Sequence, residues 1–300
     1  MTIKNAYMIM AHHNFEQLSL LLSLLDDVDN DLFIHIDSKA GLVDESAFAR
    51  KVKSSKVEFL PRMSITWGGV SQLQCELALL NIATCTHHDY YHLLSGDDLP
   101  IKTNAQIAAF LEKNYGKEFV GIKMLGKPEE LPSYISERVS LFHPLQDKLP
   151  AGGRKKSIGK CFELIALTVQ RIVKVDRLRG RDILLGKGPQ WFSVTEGLAR
   201  YMLNYKDYGL DFFDSYLCGD EIFPQTVIAN SPYMDNIWRG LQEDDNAASL
   251  RLIDWERGFP WTWRADDFDT IRTSDCLFAR KFDAGVDEEI IKRVVELVRE

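Results

Sequence analysis

Cysteine is scarce and scattered in this chain: Cys75, Cys85, Cys161, Cys218 and Cys276 are odd in number and contain no CxxC pair, which speaks against a disulfide framework, a structural zinc site and a dithiol redox motif. They read as the reduced thiols of a cytoplasmic protein. Positive charge is short as well. Thirty-six Lys and Arg against 44 Asp and Glu leave a formal net charge of -8, whereas general nucleic-acid binding needs a basic footprint to displace counterions from phosphates. No nucleic-acid partner is expected. Long apolar runs are missing: the opening MTIKNAYMIMAHHNFEQ is interrupted after Met10 and fits neither a signal peptide nor a spanning helix. Residues 161–174 (CFELIALTVQRIVK) are too short and too broken to cross a bilayer, and read as a buried or surface-lying helix. There is no GxxxxGK[ST] loop, no GxGxxG after a strand and no GxSxG elbow, so NTPase, dinucleotide oxidoreductase and α/β-hydrolase readings lack their carriers. The histidines form no ligand set that predicts zinc.

What is present is material for a large core. A 45% apolar composition over 300 residues predicts one domain, 1–300, built from a half at 1–115 and a half at 116–300. The first hundred residues alternate strand-like patterns (6–11, 32–36, 57–60, 90–94) with helix-like ones (14–26 with Asn14 as N-cap, and 70–85). This is the signature of an α/β fold with a mixed, mostly parallel sheet flanked by helices. Further on, the patterns predict a helix at 105–113, a strand at 118–123, flexible basic loops at 151–160 and 186–188, a strand or turn entering a helix over 190–204, a loop entering a helix over 219–229, and an amphipathic helix over 286–299.

Open α/β sheets bind ligands beyond the carboxyl ends of their strands, where Asp37 and the Ser95-Gly96-Asp97-Asp98 loop fall. Asp97 and Asp98 can ligate a hard cation, bond a ribose, receive a sugar hydroxyl, or simply make a turn before Pro100. Asp220 reads first as a helix cap, while Glu221 beside it can take a proton from a hydroxyl if it projects into a cleft. His12 and His13 end the first strand and can line a nucleotide; His87 and His88 read as a surface turn. The block Trp255 to Arg264, followed by LFARKF at 277–282, combines rings that stack on sugars with cations that neutralise phosphate, or else packs as a small core.

Taken in order, AYMIMAHHNFEQLSLLL, IHIDSK, WGGVSQLQCELALL, YYHLLSGDDLPIKT, GPQWFSVT, DEIFPQT and LFARKFD resemble the core-2/I-branching glycosyltransferases, a family of β-1,6-N-acetylglucosaminyltransferases and peptide O-xylosyltransferases. The chain looks like a compact bacterial-type member without stem or membrane anchor. The resemblance implies a GT-A-like fold and an inverting transfer of a sugar, N-acetylglucosamine ahead of xylose, from a UDP-sugar donor to a hydroxyl of a glycan or glycolipid acceptor. It implies no cofactor and no metal, because an Arg and a Lys neutralise the diphosphate. Carried over by motif, that Lys is Lys281 and that Arg is Arg264, with Arg257 as the alternative. Glu221 becomes the catalytic base, and His12 and Asp37 lie near the nucleotide. Asp97, Asp98, Trp191, Asp220, Trp255 and Arg138 fall on the sugar side of donor and acceptor. Other readings are a metal-dependent transferase using Asp97 and Asp98 and a glycan-binding protein that has lost catalysis. Peripheral contact with the inner face of a membrane, through residues 154–160 and the segment behind them, is a further expectation.

Overall fold

The computed structural model describes residues 2–144, 146, 154–241 and 245–299, the side chains of 154–160 excepted. Its centre is a six-stranded sheet in the order β3-β2-β1-β4-β9-β6, comprising β1 (Asn5–Ala11), β2 (Asn30–Ile36), β3 (Lys56–Phe59), β4 (Tyr90–Ser95), β6 (Phe119–Val120) and β9 (Phe192–Thr195). The sequence AYMIMA of β1 is apolar on both faces, as a central parallel strand must be, and only Met10 escapes full burial. β1 pairs in parallel with β2 on one side and β4 on the other, with Met10 opposite His35 and Ser95. The chain order therefore reverses at β1, which opens a crevice beyond its carboxyl end. β9 runs antiparallel to β4 and β6.

Helix α1 (Phe15–Leu25) buries Leu18, Leu21, Leu22 and Leu25, an i, i+3, i+4, i+7 stripe that packs it on the sheet. Asn14 precedes it in the left-handed region and accepts from Leu18 N–H through its carbonyl, but its side chain makes no cap bond. The other helices are α2 (Glu45–Ala49), α3 (Val70–Ala83), α4 (Asn104–Lys113), α5 (Ser133–Ser140), α6 (Arg154–Ile172), α7 (Glu196–Leu203), α8 (Phe223–Ala229), α9 (Asp245–Ala248), α10 (Phe268–Thr273) and α11 (Glu288–Arg299). α4 begins with a reciprocal capping box between Thr103 and Gln106. One apolar cluster lies under each face of the sheet. Met8, Phe33, Leu79 and Phe223 belong to one, and Tyr7, Ile34, Leu22 and Phe278 to the other. Each draws on residues from both ends of the chain, so the two sequence halves fold around shared cores.

Several local expectations are corrected. Residues 186–188 are not a flexible loop: β8 (Leu185–Lys187) pairs with β7 (Met124–Gly126). Their glycines serve close packing, since a Cβ on Gly186 would stand 2.5 Å from that of Gln225, and one on Gly188 would stand 2.1 Å from the Gly121 carbonyl. The strand expected over 118–123 is only Phe119–Val120. The basic stretch 151–160 is helical from Arg154, and 151–153 lie outside the described residues. His88 is buried and bonded to Asp31 at 3.0 Å, not placed in a surface turn.

A three-stranded sheet, β10 (Arg251–Ile253), β11 (Phe278–Arg280) and β5 (Leu99–Pro100), brings the carboxyl-terminal block onto the Asp97-Asp98 loop. Arg251 locks this arrangement. Its fully buried guanidinium donates to Ser193 Oγ, to the carbonyls of Leu93 and Phe192, and to the Ser249 carbonyl, and lies over the Phe278 ring. Burial draws its pKa down to about 10, which still leaves it charged at neutral pH.

Candidate active site

The crevice at the carboxyl ends of β1, β2 and β4 gathers His12, Asp37 and Asp97. His12 is held below the usual imidazole range by burial and then by His13, while Asp97 and Asp37 pull the other way. Asp37 accepts from Lys39 N–H at 2.8 Å and Ile65 N–H at 3.4 Å, which turns the chain after β2 and aims the carboxylate. Asp97 lies 3.7 Å from His13.

Asp98 points the other way. It is fully buried, caps the Ser95 N–H at 2.8 Å and receives Arg280 Nη1 at 2.8 Å. Burial raises its pKa, Arg280 opposes that shift, and the carboxylate, expected from the sequence among the sugar-facing residues, holds the loop to β11. Gly96 makes the bend possible, since a Cβ there would stand 3.1 Å from Ala11 Cβ. Arg280, which the sequence reading left out, also lies over the Trp191 ring at 4.7 Å. That reading had a signal available in LFARKF, where Arg280 immediately precedes Lys281.

Lys281 takes part in a second backbone pairing: Trp263 N–H donates to its carbonyl at 3.0 Å, and its own N–H approaches the Trp261 carbonyl at 3.5 Å. Arg264 follows Trp263 directly and its guanidinium lies 5.1 Å from the Trp261 ring centre. Among the described residues neither Lys281 nor Arg264 forms an ion pair. Arg257 does: it is clamped between Asp254 at 2.5 Å and Asp267 at 2.7 Å. Trp255 is half exposed, with its indole N–H on Asn246 at 3.4 Å; among the described residues no hydrogen bond ties it to the other site residues.

The second group surrounds the Gly219-Asp220-Glu221 turn, where Gly219 sits so close to the Tyr216 ring that a Cβ would come within 2.4 Å. Glu221 Oε2 receives Arg138 Nη1 from α5 at 2.8 Å and has Lys187 of β8 at 3.6 Å. Asp220 is buried and accepts from Gln72 Nε2 at 2.8 Å, and among the described residues its other oxygen has no hydrogen-bond partner. Burial, then the neighbouring Glu221, pushes its pKa up to about 7. Gln72 also donates to Gln190 Oε1 at 3.1 Å, and Gln190 donates to the buried Glu76 at 2.9 Å. Burial first and Asp220 second raise Glu76 well above the ordinary carboxyl range. Gln72 and Glu76 are one turn apart on α3, and their i, i+4 spacing in register with the apolar positions Leu79, Leu80 and Ala83 was the sequence signal for them.

Gln190 and Trp191 are consecutive, so the amide network of the acidic turn and the Asp98–Arg280 pair meet on one dipeptide. The half-exposed carboxylate of Glu221, with Arg138 and Lys187 on it, adjoins this network through its chain neighbour Asp220. Among the described residues, no group of three His, Cys, Asp or Glu side chains is placed to hold a metal ion.

The chain is similar to known proteins over nearly its whole length. Mouse (Mus musculus) xylosyltransferase 2 is 26% identical over 311 residues, covering 97% of this chain and 33% of that protein. Xylosyltransferase 1 of Homo sapiens is 24% identical over 316 residues, covering 96% and 30%. The chain thus spans about a third of the length of the curated relatives it matches. A crystal structure of mouse xyloside xylosyltransferase 1, in its apo form, superposes with a TM-score of 0.37 at 12% identity, covering 92% of this chain and 96% of that one. The model of the family described as Core-2/I-Branching enzyme matches residues 5–272, and the chain belongs to that family.

Proposed function

We propose that this protein is an inverting glycosyltransferase that moves a sugar from a UDP-sugar to an acceptor hydroxyl. The observation that carries this reading is a half-exposed carboxylate, Glu221, oriented by Arg138 and Lys187, in a chain whose carboxyl-terminal block holds two cations, Lys281 and Arg264, that form no ion pair among the described residues. Breaking the bond between sugar and phosphate leaves negative charge on the diphosphate and positive charge on the ring, so cations belong at the leaving group and a base at the opposite face.

In this reading the acceptor oxygen attacks the anomeric carbon while Glu221 takes its proton. The bond from that carbon to the diphosphate oxygen breaks, and its electron pair departs with UDP. Both cations take Glu221 Oε2, which leaves Oε1 to accept the proton. Lys281 and Arg264, which form no ion pair among the described residues, are the phosphate ligands, and Arg280, committed to Asp98, fixes the loop beside them. Arg257, already neutralised by two carboxylates, is not required. Asp37 and His12 border the nucleotide, Asp97 and Trp191 the transferred sugar, and Trp255 the acceptor. No metal is invoked, because the diphosphate charge is met by these side chains and Asp98 is occupied by Arg280.

The names of the relatives bring xylose forward as the transferred sugar, ahead of the N-acetylglucosamine expected from the motifs alone. The acceptor is a glycan, glycolipid or peptide hydroxyl. A positioned base supplies about 100-fold to 10,000-fold of rate. Glu221→Gln is therefore expected to lose that much turnover while UDP affinity persists. Near-normal transfer by this variant would remove Glu221 from the mechanism. Thermal shift with UDP-xylose, UDP-N-acetylglucosamine and UDP-glucose separates the donors, since a ligand at about 100 times its Kd adds about 2.7 kcal/mol of stability.

A further inference from the structure

The long helix α6 has its amphipathic character turned outward. Its inner face is held by polar anchors beside the partly buried Ala166 and Leu167: Glu163 meets His143 Nδ1 at 3.1 Å, and Gln170 exchanges two bonds with the backbone of Phe142, at 2.8 and 2.9 Å. Arg171 grips Glu137 of α5 through Nε and Nη2. These contacts fix the rotation of the helix, so its apolar stripe faces solvent by construction. Phe162, Ile165, Val169 and Ile172, at i, i+3, i+7 and i+10, are 60%, 59%, 50% and 74% exposed, and Val173 extends the stripe at 63%. A surface helix ordinarily buries such a stripe, and contiguous exposed apolar surface marks an interaction site.

Charge identifies the occupant. Between residues 154 and 181 there are nine Lys and Arg against Glu163 and Asp176, a local balance of +7 in a chain whose total is -8. Arg171, Arg177 and Arg181 are committed to Glu137, Asp214 and Asp211. Lys174 and Arg179 are exposed, and four more cations occur in the sequence 154–160. We propose that α6 is a docking face for an anionic lipid surface, its apolar stripe entering the headgroup boundary and its flanking cations meeting lipid phosphates. A second copy of this chain suits the face poorly, because two-fold pairing would set one basic helix against another. Neighbouring residues link the face to the candidate site: Glu137 holds α6 while Arg138 holds Glu221. The docking claim itself does not rest on the transferase reading.

The test is sedimentation of the full chain with vesicles containing about one-third anionic phospholipid, beside purely zwitterionic vesicles. Binding is expected to the anionic vesicles and to fall steeply as salt is raised, because the attraction is screened within a Debye length of roughly 8 Å at physiological ionic strength. Ile165→Ser combined with Ile172→Ser is expected to reduce partitioning roughly tenfold or more with no loss of thermal midpoint, since both side chains are already in water. Lys174→Glu with Arg179→Glu is expected to weaken binding to the anionic vesicles alone. Failure to sediment with anionic vesicles at low salt overturns the proposal, as does unchanged binding by the Ile165/Ile172 variant. Concentration-dependent dimers in light scattering that this variant abolishes would also overturn it, by assigning the face to a second copy.

Discussion

Asp98 and Arg280 lie 182 positions apart in the chain, yet form an ion pair at 2.8 Å whose carboxylate is buried and whose guanidinium is partly buried. The pair ties the loop after β4 to the end of β11 and gives one of two adjacent carboxylates a structural task. Removing one member of such a pair strands the other charge, at a cost of about 3–5 kcal/mol. Asp98→Ala is expected to lose that much stability in urea titration, and a loss below about 1 kcal/mol would show that the pair is a surface-type contact. Asp97→Ala, by contrast, is expected to spare stability and impair sugar transfer.

Because Asp98 is engaged by Arg280 and the proposed phosphate ligands are Lys281 and Arg264, transfer is expected to survive exhaustive chelation within about twofold. Activity lost on chelation and restored by manganese or magnesium would instead return the Asp97 loop to metal binding.

The arginines 257 and 264 separate by their partners. A charge-assisted bond to phosphate contributes about 1.5–3 kcal/mol, so Arg264→Ala and Lys281→Ala are each expected to weaken UDP binding about tenfold to a hundredfold by calorimetry. Arg257→Ala removes a clamp on Asp254 and Asp267, and should lower the thermal midpoint while leaving UDP affinity intact. The reverse pattern would exchange their roles.

Arg138 is expected to act through Glu221. Arg138→Ala frees the carboxylate from its 2.8 Å anchor and should lower kcat about tenfold to a hundredfold, the scale of a misplaced reacting group, without changing UDP affinity. Arg138→Lys should recover part of the loss. An unaltered kcat in Arg138→Ala would sink the positioning role.

Asp220 gives the protein a pH signature. Its carboxyl ordinarily titrates near 3.8 but is pushed to about 7 in the fold, chiefly by burial and then by Glu221. Between those values the folded state keeps a proton that the unfolded chain has released. Stability therefore falls as pH rises through that window and levels off above it. Asp220→Asn keeps an acceptor for Gln72 and has no charge to bury. Its stability advantage is expected to grow from near zero around pH 4 to a few kcal/mol by pH 8, followed by thermal melts across that range. An advantage that does not change with pH would mean that Asp220 is ionised in the fold. Glu76, raised by the same burial, keeps part of the slope in the variant.

The α/β class was legible because it depends on local period: the continuous apolar runs of β1 and β4 and the leucine stripe of α1 state their burial residue by residue. Glycine misled the reading at 186–188. Gly186 and Gly188 look like loop punctuation in sequence, but their lack of a side chain is used for backbone contact with Gln225 and Gly121, a partner-dependent fact that no window can show. The basic stretch from Arg154 was similarly read from its composition, while its helix is fixed from Glu163 onward by partners on α5 and the segment that follows it.

The candidate site divides along the same line. Sequence by itself determined the residue types and their order: a carboxylate after Gly219, two aspartates ending β4, a cationic block near the end, and a chain that belongs to the Core-2/I-Branching enzyme family. Only the tertiary structure decided which charges are available and which are spent. Asp98 is neutralised by Arg280, Arg257 by two aspartates, and Asp220 is buried beside Glu76, whereas Lys281 and Arg264 form no ion pair among the described residues. The reason is physical: the chemistry of an ionisable side chain depends on its desolvation and its nearest counter-charge, and both are set by residues far away in the chain.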